Sequence, residues 1–150
     1  MTPAFREASR DDVEAIAALL SDDVLGKRRE ARDLDRYRAA FDAMAAEPNN
    51  TLIVGEAEGR IVAVYQITFI SGLSRGGARR AQIEAVRVAA DARGRGLGEA
   101  LMRDAEARAR AEGCALVQLT TDRARVRAHR FYDRLGYVAS HFGYKRALDS

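Results

Sequence analysis

The segment from Gln82 to Leu101, Q-I-E-A-V-R-V-A-A-D-A-R-G-R-G-L-G-E-A-L, constrains the fold more than any other part of the chain. Ile83, Val86 and Val88 are β-formers with no glycine or proline among them, so the segment opens as a strand. A short turn leads to the loop Arg93-Gly94-Arg95-Gly96-Leu97-Gly98. Beyond it, Leu97, Leu101, Ala105 and Ala109 recur every fourth residue, as on one face of a helix. A strand therefore runs through a glycine-rich loop straight into a helix. The first N–H groups of a helix have no intrahelical partner, and the helix dipole adds partial positive charge there. Such a junction suits an anion, and glycines let the backbone approach a bulky phosphate.

The spacing of the glycines selects among nucleotide loops. A Walker loop ends in G-K-[ST], whereas this one ends in Gly98-Glu99. A dinucleotide fingerprint needs glycine at position 99, which is Glu99, and it follows the first strand of a βαβ unit. This loop lies past the middle of the chain. Taken alone, it could still be a tight turn with no ligand.

The length of 150 residues suits one domain, over residues 1–150. With 25 basic against 22 acidic residues the net charge is +3, too balanced to argue for a nucleic-acid partner. Lys27 and Lys145 are the only lysines, so the basic character is almost all arginine. Cys114 is the single cysteine, which rules out an intrachain disulfide and suits a reducing compartment. No apolar run reaches membrane-spanning length, and the opening residues carry no apolar leader core. The expectation is a cytoplasmic protein with no membrane partner. His129 and His141 have no partner at catalytic spacing, and no metal-ligand cluster is visible, so no metal is expected.

Before the glycine loop, Ala4–Ala8 reads as a short strand and Ser9 to Asp12 as a capping box with Asp in place of Glu. Val13, Ile16, Ala17 and Leu20 mark a first helix; Leu34, Tyr37, Phe41 and Met44 mark a second. Between them, Ser21–Asp33 is highly charged and reads as a solvated loop or as a wall of a binding site. Thr51–Glu56 and Arg60–Ile70 form a hairpin around Ala57-Glu58-Gly59. The second of these strands is apolar on both faces, as a central strand is. Ser71–Arg80 reads as a loop. After the glycine loop, the helix stops at Gly113, Cys114–Thr120 is a strand, Thr121–Leu135 holds another helix, and Tyr137–Leu148 is a last strand or pair of strands. The helix between the Gln82–Val88 and Cys114–Thr120 strands makes that pair parallel.

Two motifs now align with one family. Arg93-x-x-Gly96-x-Gly98 resembles the [QR]-x-x-G-x-[GA] signature of the GNAT N-acetyltransferases, with Val88 five residues before it and Ala90 where a proline is usual. Ala128-His129-Arg130-Phe131-Tyr132-Asp133-Arg134-Leu135-Gly136-Tyr137 resembles the family pattern A-x-x-F-Y-x-x-x-G-[FY], and it follows the loop by a helix and a strand, as the family has it. The resemblance spans nearly the whole chain. It implies an α/β (α+β) fold: a mixed twisted sheet with an antiparallel N-terminal meander and a parallel, splayed central strand pair, flanked by about four helices.

The resemblance also implies a chemistry, the transfer of an acetyl group from acetyl-CoA to a primary amine in a ternary complex, with no metal. The backbone of Arg93, Gly94, Arg95, Gly96, Leu97 and Gly98 would hold the pyrophosphate. The Val86, Arg87 and Val88 backbone would pair with the pantetheine arm and polarise the thioester carbonyl. Glu84, acidic in an otherwise apolar strand and two residues before Val86, is the candidate base, acting directly or through a water; its plainer reading is a carboxylate paired with an arginine. Tyr132 is the candidate acid for the leaving thiolate, or else an aromatic packed beneath the cofactor. Arg125 stands where many members carry an Asn that contacts CoA; an arginine there could reach a phosphate. The acceptor is a small-molecule or peptide amine, and a homodimer is possible. Two other classes remain: an acyl-CoA-binding regulatory module without turnover, and a nucleic-acid binder with steep salt dependence, which the balanced charge disfavours.

Overall fold

The computed structural model describes residues 2–21 and 34–149. The expected charged loop at Ser21–Asp33 lies, apart from Ser21, outside the described residues. The chain divides into two compact units, Met1–Gln118 and Leu119–Ser150.

The first unit is built on a five-stranded mixed sheet of order β1-β2-β3-β4-β5. Strand β1 (Ala4–Glu7) precedes a 3-10 turn and helix α1 (Val13–Ser21), and helix α2 spans Leu34–Ala45. The turn into α1 is held by Asp12, whose carboxylate accepts the Ser9 backbone N–H at 2.7 Å, so aspartate does serve in the capping position. Strands β2 (Asn50–Ala57) and β3 (Arg60–Ile70) form the expected hairpin. Its tip is Glu58-Gly59, with φ of 53° and 78°, the left-handed pair that a tight two-residue hairpin needs. Strand β4 (Arg79–Val88) is antiparallel to β3, helix α3 spans Leu97–Ala111, and β5 (Cys114–Leu119) follows it beside β4. Strand β4 starts at Arg79, so the end of the expected 71–80 loop is sheet; one helical turn at Ser74–Gly77 fills its middle.

The register assigns each strand residue to a face. Ile53, Tyr65, Ile67 and Ile83 lie on one face, where Tyr65 meets Asp104 of α3, and all four are essentially inaccessible. On the other face Val54, Val62 and Val64 pack with Ile16 and Leu19 of α1, in a cluster that also takes Ala89, Ala92 and Leu97. Burial of these branched side chains, at about 25 cal/mol per Å² of apolar area, is what fixes the register, because a slip of one residue would exchange the two faces. Leu19, rather than Leu20, is the buried leucine of α1.

The second unit contains helix α4 (Val126–Arg134), which ends at Gly136 with φ 90°. The expected strand at Tyr137–Leu148 is not formed: residues 137–149 carry no regular secondary structure. Among the described residues, no helix is long and apolar enough to cross a membrane.

Candidate active site

Strand β4 is irregular where the sequence-based candidates fall. Val64 pairs with Arg87 and Gln66 pairs with Glu84, so Ala85 and Val86 together oppose the single residue Tyr65. This is a β-bulge, and Ala85 carries it with φ of 54°, a left-handed conformation that costs an L-residue about 1–2 kcal/mol. The bulge inverts the alternation. Before it, the even residue Glu84 lies on the α1 face of the sheet; after it, the odd residue Arg87 does, beside Val64. Arg87 is 9% exposed and donates from Nη1 to the Val86 carbonyl at 2.9 Å. Glu84 is exposed, and among the described residues its carboxylate makes no hydrogen bond or ion pair. Among the described residues no arginine neutralises Glu84, so the plainer reading of it finds no partner there.

The loop from Arg93 to Gly98 is pinned at both ends and open between. Ala92 at 0% and Leu97 at 2% exposure are buried in the core, while Arg93, Gly94, Arg95 and Gly96 are all exposed. Arg93 donates from Nε to the Val88 carbonyl at 3.2 Å, tying the loop back to the end of β4. Gly94 and Gly96 have φ of 81° and 76°, which is why the loop needs glycine at both places. Gly96 is also the residue that caps α3: its carbonyl accepts the Ala100 N–H at 3.1 Å, and no side chain caps the helix. The N–H groups of Leu97, Gly98 and Glu99 therefore lack an intrahelical acceptor. A Cβ built at Gly94 or Gly96 would meet nothing within 4 Å, so among the described residues nothing fills the space over either glycine. Uncapped N–H donors, open space and exposed arginines at 93 and 95 fit a diphosphate.

What holds α3 against the sheet was not legible in the sequence. The Tyr65 hydroxyl donates to Asp104 Oδ2 at 2.5 Å, Arg108 Nε donates to the same oxygen at 2.8 Å, and Arg108 Nη2 reaches the Phe5 carbonyl at 3.3 Å. Burial, then the neighbouring Asp104 carboxylate, pushes the Tyr65 hydroxyl's ionisation far up, so it remains a donor at any ordinary pH. This network joins β1, β3 and α3, and so fixes the helix whose first turn forms the loop. Tyr65 is also the residue that faces the bulge.

The other two candidates belong to the second unit. Arg125 is the residue before α4; its N–H donates to the Asp122 carbonyl at 3.0 Å, and its own carbonyl accepts the His129 N–H at 3.2 Å. His129 Nε2 also lies 2.9 Å from the Asp122 carbonyl oxygen, which accounts for this histidine structurally. Tyr132 is half-buried, packed edge-on against Phe131 with centroids 5.1 Å apart and against Tyr137 at 5.9 Å. The structure thus gathers Glu84, Val86, Arg87 and Val88 on β4 with the 93–98 loop just after it, while Arg125 precedes α4 and Tyr132 lies within it. Cys114 is partly buried, and desolvation raises its thiol pKa, the opposite of what a nucleophilic thiolate needs. Among the described residues, no group of three or more His, Cys, Asp or Glu could hold a metal ion.

Over 144 residues the chain is 29% identical to the aminoalkylphosphonate N-acetyltransferase of Salmonella typhimurium, covering 96% of this chain and 90% of that one. Among solved structures, a protein of Bacillus halodurans C-125 described as a transcriptional regulator is 42% identical with a TM-score of 0.93, over 97% of this chain and 99% of the other. A putative acetyltransferase of Agrobacterium tumefaciens C58 is 29% identical with a TM-score of 0.86, over the same shares of the two chains. The model of the Acetyltransferase (GNAT) family matches residues 13–137, a span that takes in the bulged strand, the glycine loop and α4. With that match over most of its length, the chain belongs to the GNAT acetyltransferase family.

Proposed function

We propose that this protein is an N-acetyltransferase that moves the acetyl group of acetyl-CoA to a primary amine by direct transfer in a ternary complex, acting as one domain over residues 1–150. The observation that carries the reading is the uncapped start of α3 behind a glycine loop with open space above it. Enzymes of the family use acetyl-CoA as co-substrate. In this reading the N–H groups of Gly94 to Gly98, with the Arg93 and Arg95 side chains, hold the diphosphate. The Val86–Val88 backbone, including Arg87, pairs with the pantetheine arm, and one N–H there polarises the thioester carbonyl; losing such a donor costs ~3 kcal/mol of transition-state stabilisation. Glu84 takes a proton from the incoming ammonium, directly or through a water. Its support is a solvent-reachable carboxylate with no competing cation among the described residues. The free amine attacks the carbonyl carbon, the C–S bond breaks, Tyr132 gives its proton to the departing thiolate, and the new amide nitrogen releases its surplus proton, which restores the Tyr132 hydroxyl. Arg125 contributes to a CoA phosphate.

The acceptor is a small primary amine, supported by the aminoalkylphosphonate that the Salmonella relative's name states; a peptide amine is the wider alternative. The reading includes a cytoplasmic protein that needs neither nucleic acid nor membrane. It also includes a homodimer, supported by Val138, Phe142, Tyr144 and Leu148, all more than four-fifths exposed and all at even positions. Sedimentation velocity tests that part: a dimer mass that Phe142→Asp reduces is expected, and a monomer at all concentrations contradicts it. Purified protein with acetyl-CoA and a panel of amines tests the activity, with thiol release and the acetylated product followed by mass. The neighbour described as a regulator gives a second reading, and CoA binding with no acetylated product from any amine would favour it.

A further inference from the structure

The α1 face of the sheet changes chemistry partway along the strands. Val54, Val62 and Val64 are apolar and covered by α1. Farther along the same face come Asn50 on β2, Gln66 and Thr68 on β3, and Gln82 and Glu84 on β4, in register as Asn50–Thr68–Gln82 and Gln66–Glu84. Gln118 of β5 joins them, because its amide donates to Gln82 Oε1 at 2.8 Å. None of these side chains is buried, although most sit on interior strands. Apolar residues are the usual lining of such positions, so a half-open polar row across four strands is a surface built for something other than packing.

The row is ordered by its own hydrogen bonds. Asn50 Oδ1 accepts from Gln66 Nε2 at 2.9 Å and from Thr68 Oγ1 at 3.2 Å. With Gln82 and Gln118 also joined, each amide is fixed while keeping capacity to spare: the Gln82 NH₂ and the Gln66 and Gln118 carbonyls make no further hydrogen bond among the described residues. At the end of the row stands Arg80, opposite Ile70 and on the same face. Its neighbour Arg79 is committed to the fold, donating to the Glu112 carbonyl at 2.9 Å and lying 5.5 Å from the Phe69 ring centroid. Arg80 is different. It is half-buried, and among the described residues it makes no hydrogen bond or ion pair. Gly72 gives it room, since a Cβ there would come within 3.3 Å of Arg80 Nη1. The face therefore carries on one strand a carboxylate and a guanidinium that have no partner among the described residues, with oriented amides between and beside them.

We propose that this polar row is the acceptor subsite and that it takes zwitterionic amines, with the primary amine at Glu84, a hydrogen-bonding body over Gln66, Gln82 and Gln118, and an anionic group at Arg80. The proposal rests on the transferase reading above. Glu84 and Arg80 are four residues apart, roughly 13 Å between Cα atoms before the bulge, and their side chains shorten the span a ligand must bridge. An anion beside Arg80 gains charge-assisted hydrogen bonds that a methyl group at the same place lacks.

The test is a selectivity ratio, kcat/KM for ω-amino acids from glycine to 6-aminohexanoate divided by kcat/KM for n-alkylamines of equal length. The parent protein is expected to favour the ω-amino acids, with an optimum length within the series. Arg80→Gln should lower the ratio by roughly ten- to a hundredfold, the worth of hydrogen bonds to a charged group. Arg80→Lys should restore part of the preference, and Arg80→Glu should turn it toward diamines. Because both rates come from one sample, partial unfolding of a variant cancels. Alkylamines used as well as or better than ω-amino acids by the parent, or a ratio unchanged by Arg80→Gln, overturns the subsite alone. Transfer to no amine at all overturns the transferase reading and the subsite with it.

Discussion

Replacing Tyr65 by Phe removes one oxygen atom from the core and leaves the ring in place, so no cavity confuses the result. Tyr65 is 0% exposed, and its hydroxyl is one of two side-chain donors to Asp104 Oδ2. Asp104 is itself only 22% exposed, so water replaces the lost donor poorly. A hydrogen bond to a charged group contributes about 1.5–3 kcal/mol, and in a protein of this size each kcal/mol moves Tm by about 2–4 °C. Tyr65→Phe should therefore melt roughly 3–12 °C below the parent. The deficit also has a pH signature. Burial and Asp104 raise the folded pKa of Tyr65 above its unfolded value, near 10. A group with a raised folded pKa contributes stability that is whole below the unfolded pKa and is lost as pH rises toward the folded one. The parent's advantage over Tyr65→Phe should thus be constant from pH 6 to 9 and shrink above pH ~10. Chemical denaturation of both proteins across that range is the assay. Equal stability at neutral pH, or an advantage that grows at high pH, would refute the claim that this network holds α3 to the sheet.

Other outcomes follow from the same geometry. Glu84→Gln should slow single-turnover acetyl transfer by ~10²–10⁴-fold where the amine is protonated, with partial recovery at high pH, whereas Tyr132→Phe should slow it without that recovery; parallel pH profiles for parent and both variants would reject the assignment of base and acid. Arg6 bonds the Asp12 carboxylate at 2.8 Å and holds its pKa below the ordinary value, aided by the Ser9 N–H. That contribution is complete above the unfolded carboxylate pKa and lost as pH falls through the lowered one. Arg6→Gln should therefore shift the acid-unfolding midpoint, followed by circular dichroism, to higher pH; an unchanged midpoint would contradict it.

Local chemistry was legible in the sequence, and non-local pairing was not. The glycine loop, the hairpin tip at Glu58-Gly59 and the stop at Gly113 each depend on backbone conformation that the residue types announce. The bulge did not announce itself, because Ala85 rather than glycine adopts the positive φ. The Tyr65–Asp104 bond joins residues 39 apart in the chain, and no periodicity encodes such a partner. The stretch Tyr137–Leu148 reads as a last strand or pair of strands, yet a strand exists only where another strand accepts its hydrogen bonds. A signal for the polar row was present: Gln66 and Thr68 interrupt the apolar run of β3, and Gln82 falls between Ala81 and Ile83. Its meaning needed the register, which put those three on one face with Glu84.

The account depends most on the 93–98 loop holding the diphosphate of acetyl-CoA. Isothermal titration of CoA into the parent, Gly96→Ala and Gly96→Glu tests that directly. Both variants bear the same backbone strain at φ 76°, about 1–2 kcal/mol, and neither Cβ meets protein within 4 Å. Only the glutamate adds a negative charge beside the bound diphosphate; two unit charges 4 Å apart near a protein surface repel by ~4 kcal/mol. The account predicts that the parent binds CoA, that the alanine variant binds it somewhat more weakly, and that the glutamate variant loses at least about a hundredfold beyond the alanine variant. Equal affinity of CoA for the alanine and glutamate variants would contradict it.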